Sequence, residues 1–547
     1  MGLAALLLWG CQEARHRATE AEDADRGGDA AALDAGPPDA QPVDVDTWED
    51  AAPDVDAEDA AEDAAEVDAG AADAGPAQLI TLAGHVTAID RPFTSAGFTG
   101  EEVVRPAPDV TVEVVAAAGG RALATVQANA DGAFELTVVA PPGPLRLRAR
   151  AEVHVAGLSA AVRDAGGALY VVEGPEIPGE SGEGFALHAA GPSAGAAFHI
   201  LEEARHALVV IADEVEGARA TLTYRWQAGV PWPCGSCYSR DAILLGGGLA
   251  DPDEFDDVII LHELGHWFVA HFSADDSPGG THRDLLVSPQ LAYGEGVAYF
   301  FAALVRDVPE VVDTFIDSLR FIDLEAVTLN GETDDAFYGT ANGRPSGAQR
   351  EELTAALLWD FYDETTDAEP FDAVALGRAG MFGVLVDIIG GGALVDVGAR
   401  GVDITDWLNL LSCTASPVAV QALAAERAFP WSVANDARCG KGLELPPFTL
   451  VEHDGGVWID AAVSLPPLRL HQASKASKAS KARALTCDAP CRVGDADPWG
   501  AVVVTTPGQP WAGLAWLGAR KQAALAGGRV THGLRILPSI PAPAAAR

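Results

Sequence analysis

Two histidines four residues apart, with a glutamate directly after the first, form the chemically most telling stretch of the chain: His262-Glu263-Leu264-Gly265-His266. Residues four apart on a helix lie on one face. Both imidazoles can then share one Zn²⁺, with Glu263 beside them as general base for a water that the metal activates. The spacing predicts metal-assisted hydrolysis, in the arrangement of a zinc-dependent peptidase. The flanks predict a buried helix, since Val258, Ile259, Ile260 and Leu261 precede the motif and Trp267, Phe268 and Val269 follow it. Buried imidazoles need partners, and a metal would satisfy them. Asp251, Asp253, Glu254, Asp256 and Asp257 crowd the expected helix start, where negative charge suits the macrodipole. That run reads as ordinary capping.

A catalytic zinc takes three protein ligands, so a third is expected. The metzincin pattern is excluded because Val269 and Phe272 stand where it needs Gly and His. His271 lies roughly 140° from the face of His266 at 3.6 residues per turn and reads as a helix-end histidine. The best candidate is Glu295, the one acid near the start of the apolar stretch Leu291–Leu304, flanked by Gly294, Gly296 and Ala298, which let another helix approach closely. A Glu buried on such a helix is rarely unpaired. Asp284, in Gly280-Thr281-His282-Arg283-Asp284, is a rival ligand with a faint similarity to the Gly-Thr-x-Asp of aspzincins, one residue longer. His282 reads as either an oxyanion ligand or an ordinary loop histidine. Asp360 could orient a zinc-bound His and Tyr338 could donate to the oxyanion, but no spacing rule ties either to a metal.

With these residues the chain resembles the gluzincin metallopeptidases, the thermolysin and zinc-aminopeptidase superfamily. Their third ligand is a Glu on a following helix, which implies His262, His266 and Glu295 as the zinc ligands. Gly294-Glu295-Gly296-Val297-Ala298-Tyr299 looks like the Asn-Glu-Gly-Phe-Ala-Thr of the aminopeptidase branch. The chain also resembles a group of uncharacterised bacterial lipoprotein metallopeptidases, through Asp253-Glu254-Phe255-Asp256 and the Ser-Pro-Gly-Gly-x-His loop from Ser277 to His282. Two departures stand out. Tyr299 occupies the place of the Asp that bonds a zinc-binding His in thermolysin-type enzymes, so that partner must come from elsewhere. No Gly-Ala-Met-Glu-Asn motif is present to hold a substrate amino terminus, which favours endopeptidase action.

Length and charge set the frame. A chain of 547 residues is expected to hold about two to four domains. With 80 acidic against 35 basic residues and a net charge of −45, the surface will not seek nucleic acid or anionic lipid. Much of the excess lies in residues 12–78, an Asp/Ala/Gly/Pro run expected to be a disordered tether. Gly2 to Cys11 is an apolar run too short to span a bilayer. It ends in Leu-Trp-Gly-Cys and resembles a bacterial lipoprotein signal with Cys11 as the lipidated residue. Trp9 and the lack of a basic start depart from that pattern. The expected location is the bacterial cell envelope, at the outer membrane or cell surface, or secreted. Besides Cys11, six cysteines remain of the 7. Cys234/Cys237, Cys413/Cys439 and Cys487/Cys491 read as disulfides, as suits an exported chain.

The expected fold class is a multidomain α+β protein. Residues 79–175 alternate like strands and resemble carboxypeptidase regulatory-like β-sandwich modules. Residues 176–442 form the expected gluzincin-like zinc metallopeptidase domain, with helices at Ala196–Ile211 and Glu351–Tyr362 and a strand at Ala242–Leu245 that could be the sheet edge along which substrate lies. Residues 443–547 read as a small β domain in which the Lys-Ala-Ser repeat near 473–482 is an exposed loop. The expected protein is a monomeric, lipid-anchored zinc endopeptidase acting on a peptide or protein substrate. A spent peptidase core serving as a surface binding protein, and a non-peptidase zinc hydrolase, are the alternatives.

Overall fold

The computed structural model describes residues 78–423, apart from 95, 240–241, 280–281, 283–288, 316–317, 330–331, 334–349, 364–373, 395–400, 415–418 and 421, together with the backbone of strands between 448 and 537. Cys11, the acidic run up to residue 77, Asp284, Tyr338 and the side chains of the cysteine pairs Cys413/Cys439 and Cys487/Cys491 lie outside the described residues. The chain is a mixed α and β protein with several sheets. Among the described residues no helix is long and apolar enough to cross a membrane.

Strict alternation builds the first sheets. In the strand Ala133–Ala140, Phe134, Leu136, Val138 and Ala140 point inward while Glu135, Thr137 and Val139 point out. Leu145–Val155 does the same with Leu145, Leu147, Ala149, Ala151 and Val153 inward, as the two-residue period of a strand requires. One sheet of four strands places Gln78–Asp90 between Gly182–Ala189 and Val103–Pro106, with Ala133–Ala140 also paired to it. A second, mixed sheet runs in the order Cys237–Ser239, Ala242–Leu244, Ala220–Arg225, Leu158–Arg163, Leu145–Val155, Val110–Ala116, Ala124–Gln127. Both sheets cross the boundary expected at 175/176. Gly182–Ala189 pairs in parallel with Gln78–Asp90, and Ala220–Arg225 pairs in parallel with Leu158–Arg163. Among the described residues, one large apolar cluster accordingly draws on positions from Ile80 to Leu423.

The strand Ala242–Leu244 is not an edge, in contrast to the sequence reading. Cys237–Ser239 pairs with it antiparallel and takes the outer position. That strand is only three residues long and carries no apolar alternation to announce it. Cys234 and Cys237 are disulfide-bonded, with Cα atoms 6.1 Å apart.

Helix α1 (Ala196–Glu214) lies against the strands Leu145–Val155 and Leu158–Arg163. Beyond it come α2 (Asp257–Phe272), α3 (Pro289–Arg306) and α4 (Glu351–Tyr362), with α2 packed on α3 and α3 on α4. These helices are apolar on most sides and buried, as their composition demands. The Tyr224 hydroxyl donates to the Ile260 carbonyl at 2.9 Å, which pins α2 to the mixed sheet.

Nearer the C-terminus, four strands and five strands form two further antiparallel sheets, the first including Phe448–His453 and Gly456–Ala461. The Lys-Ala-Ser repeat is not a loop throughout: Ser477–Leu485 is a strand paired with Leu468–Ser474. Backbone pairing needs no apolar side chain, so a small and charged repeat can still supply a strand.

Candidate metal centre

Helix α2 carries His262, Glu263 and His266, and its start is fixed by tertiary bonds. Asp256 makes no side-chain cap. Its carboxylate instead accepts from the Thr314 backbone N–H at 2.8 Å and from the Thr314 hydroxyl. Burial pushes the Asp256 carboxyl up to about 8 despite these bonds. Asp257 bonds His199 at 3.0 Å, Glu254 accepts from the Trp226 indole at 3.3 Å, and Asp253 bonds Ser236. The acidic run that reads as capping is therefore consumed by partners on other segments.

Glycines decide how near the next elements come. A Cβ on Gly265, between the two histidines, would lie 2.9 Å from Ala298 Cα of α3. Only with hydrogen there can α3 settle so that Glu295, one turn before Ala298, reaches both imidazoles. Glu295 Oε2 lies 3.3 Å from His262 Nε2 and 3.2 Å from His266 Nε2, and the two Nε2 atoms are 3.2 Å apart. Four donors bound tetrahedrally at zinc's 2.0–2.1 Å bond lengths stand about 3.3 Å from one another. The three atoms thus already have the separations of three vertices of such a site, and two nitrogens with one oxygen make a donor set suited to a borderline metal.

Charge tells the same story. Burial alone would raise the Glu295 carboxyl, yet His266 and His262 hold it well below the usual carboxylate range. Burial pushes His262 down. His266 is lifted to about 9 against its burial, by the charge of Glu295. The cluster thus calls for one positive charge, which a proton on His266 supplies and a metal ion would replace.

Glu263 is buried and lines the same cleft, and its Oε2 has no hydrogen-bond partner among the described residues. The cleft holds about 970 Å³ and is bounded by His262, His266 and Glu295 on one side and by Ser236 and Tyr238 of the disulfide-bridged segment on another. Among the described residues, His262 Nδ1 also has no hydrogen-bond partner. Tyr299, where thermolysin-type enzymes carry an Asp, packs its ring tilted against that of His262, with centroids 4.2 Å apart, while its hydroxyl accepts from Arg320 at 3.1 Å.

Of the other residues singled out in the sequence, His282 is brought to the centre. Its Nδ1 lies 2.6 Å from Glu351 Oε2 and its Nε2 3.6 Å from Glu295 Oε2. The Glu351 contact lifts the ring to about 9 against its burial. His271 bonds the Trp267 carbonyl at 2.8 Å and packs, tilted, against the Trp267 ring. Asp360 is fully buried in α4 and does not line the cleft. Glu351 was not singled out in the sequence: at the first turn of α4 it looks like an ordinary dipole-compensating acid. The only hint was an acid pair, Glu351-Glu352, leading an otherwise apolar helix.

Among the described residues, two further groups have ligand atoms within 4.8 Å of one another: His199/Glu203/Asp257 and Asp251/Asp253/Asp313. No protein-family model and no curated protein matches the chain.

Proposed function

We propose that the chain is a zinc-dependent endopeptidase of gluzincin type, tethered through Cys11 to the bacterial cell envelope. The observation that carries the activity is the convergence of His262, His266 and Glu295 at 3.2–3.3 Å on the wall of an open cleft that Glu263 also faces. In this reading those three residues hold Zn²⁺. When bound, zinc supplies Lewis acidity that sharpens the acidity of water and polarises the scissile carbonyl. Glu263 takes the proton of the attacking water and hands it to the leaving amine. Its buried Oε2 is suited to that role because, among the described residues, no hydrogen bond competes for it. The size of the cleft and the short outer strand Cys237–Ser239 on its rim fit an extended peptide.

The anchor rests on the sequence alone, on Leu-Trp-Gly-Cys followed by the acidic run. The test of the activity is the zinc content of purified residues 78–547 followed by cleavage of an unbiased peptide library. About one zinc per chain with hydrolysis of internal bonds is expected. Stoichiometric zinc without cleavage of any peptide would favour a binding protein or another hydrolase, and absence of zinc binding would end the proposal.

A further inference from the structure

Helix α3 addresses His262 twice from one face. Glu295 and Tyr299 are four residues apart on it and therefore neighbours. Glu295 Oε2 lies 3.3 Å from His262 Nε2. The Tyr299 ring lies against the imidazole, with centroids 4.2 Å apart and planes 53° from one another. Aromatic pairs ordinarily stand about 4.5–7 Å apart, so this contact is tight enough to oppose rotation of the imidazole. A histidine that binds a metal is usually oriented through its other nitrogen, by a carboxylate, a carbonyl or a water. Among the described residues His262 Nδ1 has no such partner. The contact with Tyr299 is what fixes the plane of the ring.

Tyr299 is held in turn. It is buried, and its hydroxyl accepts from Arg320 Nη1 at 3.1 Å. Arg320 belongs to the strand Ser318–Asp323 and is itself buried; its Nη2 donates to Glu352 in the first turn of α4. The second oxygen of Glu352 lies 3.5 Å from Arg350 Nε. Glycines on α3 give these elements room. A Cβ on Gly296 would lie 2.7 Å from Thr354 and 2.9 Å from the Glu351 carbonyl oxygen, so glycine there admits the first turn of α4. On the other flank of Glu295, a Cβ on Gly294 would meet Asp275 Oδ2 and Ser277 Cβ at 3.0 Å. A buried guanidinium is costly to leave unpaired, so Arg320 has little freedom to release the Tyr299 hydroxyl. One ring contact and two hydrogen bonds thus connect His262 to α4.

Resting on the reading of His262 as a zinc ligand, we propose that Tyr299 is its positioning residue: the tyrosine ring, anchored through its hydroxyl by Arg320 and Glu352, sets the plane of the imidazole by packing. A carboxylate on Nδ1 would orient the ring and also make it more basic. The face of a tyrosine orients it without that second effect. The role differs from that of a plain core aromatic, because it is exerted on the metal ligand and is seen in metal affinity and ligand geometry.

The test compares the full wild-type chain with Tyr299→Leu, Tyr299→Phe and Phe300→Leu. Phe300 is the next residue of α3, equally buried, and its ring faces Tyr362 at 6.1 Å. Three readouts are used: the Kd for zinc by competition with a chromophoric chelator, the visible absorption bands of the Co²⁺-loaded protein, which report ligand geometry, and the urea midpoint. Tyr299→Leu is expected to bind zinc about 10–100-fold more weakly and to shift the Co²⁺ bands. Tyr299→Phe keeps the ring and loses only its anchor, and is expected to fall between wild type and Tyr299→Leu. Phe300→Leu is expected to lower the urea midpoint but to keep the wild-type Kd and bands. Wild-type Kd and bands in Tyr299→Leu would overturn the proposal, and so would an equal loss of zinc affinity in Phe300→Leu, which would show a general loosening of α3. Should Tyr299→Leu not fold, Tyr299→Phe decides, and unchanged Kd and bands there overturn it. Wild type that binds no zinc would defeat the ligand reading and this proposal together. Wild type that binds zinc in a Tyr299-dependent way yet cleaves no peptide would defeat the peptidase reading alone.

Discussion

Helix α2 carries two clusters built from the same side chains, and they are put together differently. At its start, His199 of α1 meets Asp257 at 3.0 Å through Nε2 and faces Asp90 at 3.6 Å through Nδ1, with Glu203 one turn along α1. Further along α2, His262 and His266 turn their Nε2 atoms toward each other and toward a single oxygen of Glu295. The first cluster gives each nitrogen its own carboxylate, so one imidazolium satisfies it. The second asks two nitrogens and one oxygen to share a point. Composition does not separate the two clusters; the direction in which their nitrogens face does.

The largest expected difference is in metal binding. His262→Ala or His266→Ala should bring zinc per chain from about one to near zero and abolish peptide turnover, since each removes one of the three proposed ligands. His199→Ala should leave the zinc content of the folded protein unchanged. Elemental analysis of dialysed protein decides, and zinc lost equally from both variants would erase the distinction.

Next comes one acid beside each cluster, Glu263 being buried and Glu203 half-buried. Glu263→Gln should keep zinc and cost about 10²–10⁴-fold in kcat, the worth of a positioned base. Glu203→Gln should leave kcat within about twofold, an effect too small for a general base. Turnover measured at matched zinc content separates them, and equal losses would show that Glu263 is not the base.

Stability should show the opposite ranking. His199 is 4 % exposed, and removing its ring leaves Asp257 without its hydrogen bond. A bond to a charged group is worth about 1.5–3 kcal/mol, so His199→Ala should unfold earlier in urea by that amount. A midpoint unchanged from wild type would mean that water serves Asp257 equally well.

The first cluster should also tilt stability with pH. Burial, then the charge of Asp257, pushes Glu203 up from 4.5 to about 8. Burial would lower His199, but the hydrogen bond to Asp257 prevails and raises it above 6.5. In both cases the folded chain holds a proton that the unfolded chain has released, so stability falls as pH rises. The Glu203 part of the loss falls between about 4.5 and 8. The contribution of His199 is complete below about 6.5 and disappears as pH passes its raised folded value. Urea midpoints at pH 5 and pH 8 should therefore differ less in Glu203→Gln than in wild type. A steeper dependence in the variant would reverse the assignment.

Local pattern made much of this visible in advance. The i and i+4 spacing of His262 and His266 needs only a helix, and the apolar runs around them specify one. Glu295 was marked by the small residues beside it, whose purpose is steric clearance on both flanks. Glu351–Tyr362 has the bounds that its apolar run predicts. What stayed hidden depends on partners distant along the chain. Glu351 is 69 residues from His282, and Thr314 is 58 from Asp256. No window of sequence reveals that a carboxylate at a helix start is engaged by a hydroxyl on a remote strand. The same reason conceals the parallel pairing of Leu158–Arg163 with Ala220–Arg225, since each segment alone reads as an ordinary strand.

That pairing bears on heredity as well as on architecture. Accessory β segments are commonly thought of as cassettes, gained and lost without harm to the enzyme beside them. Here, excision at 175/176 would strip Gly182–Ala189 of Gln78–Asp90 and Ala220–Arg225 of Leu158–Arg163, baring two strand edges of the kind that invite aggregation. The segment that begins at Gln78 cannot be traded for another unless the replacement offers the same two edges in the same register. The smallest piece of this gene that recombination could move intact therefore includes both halves.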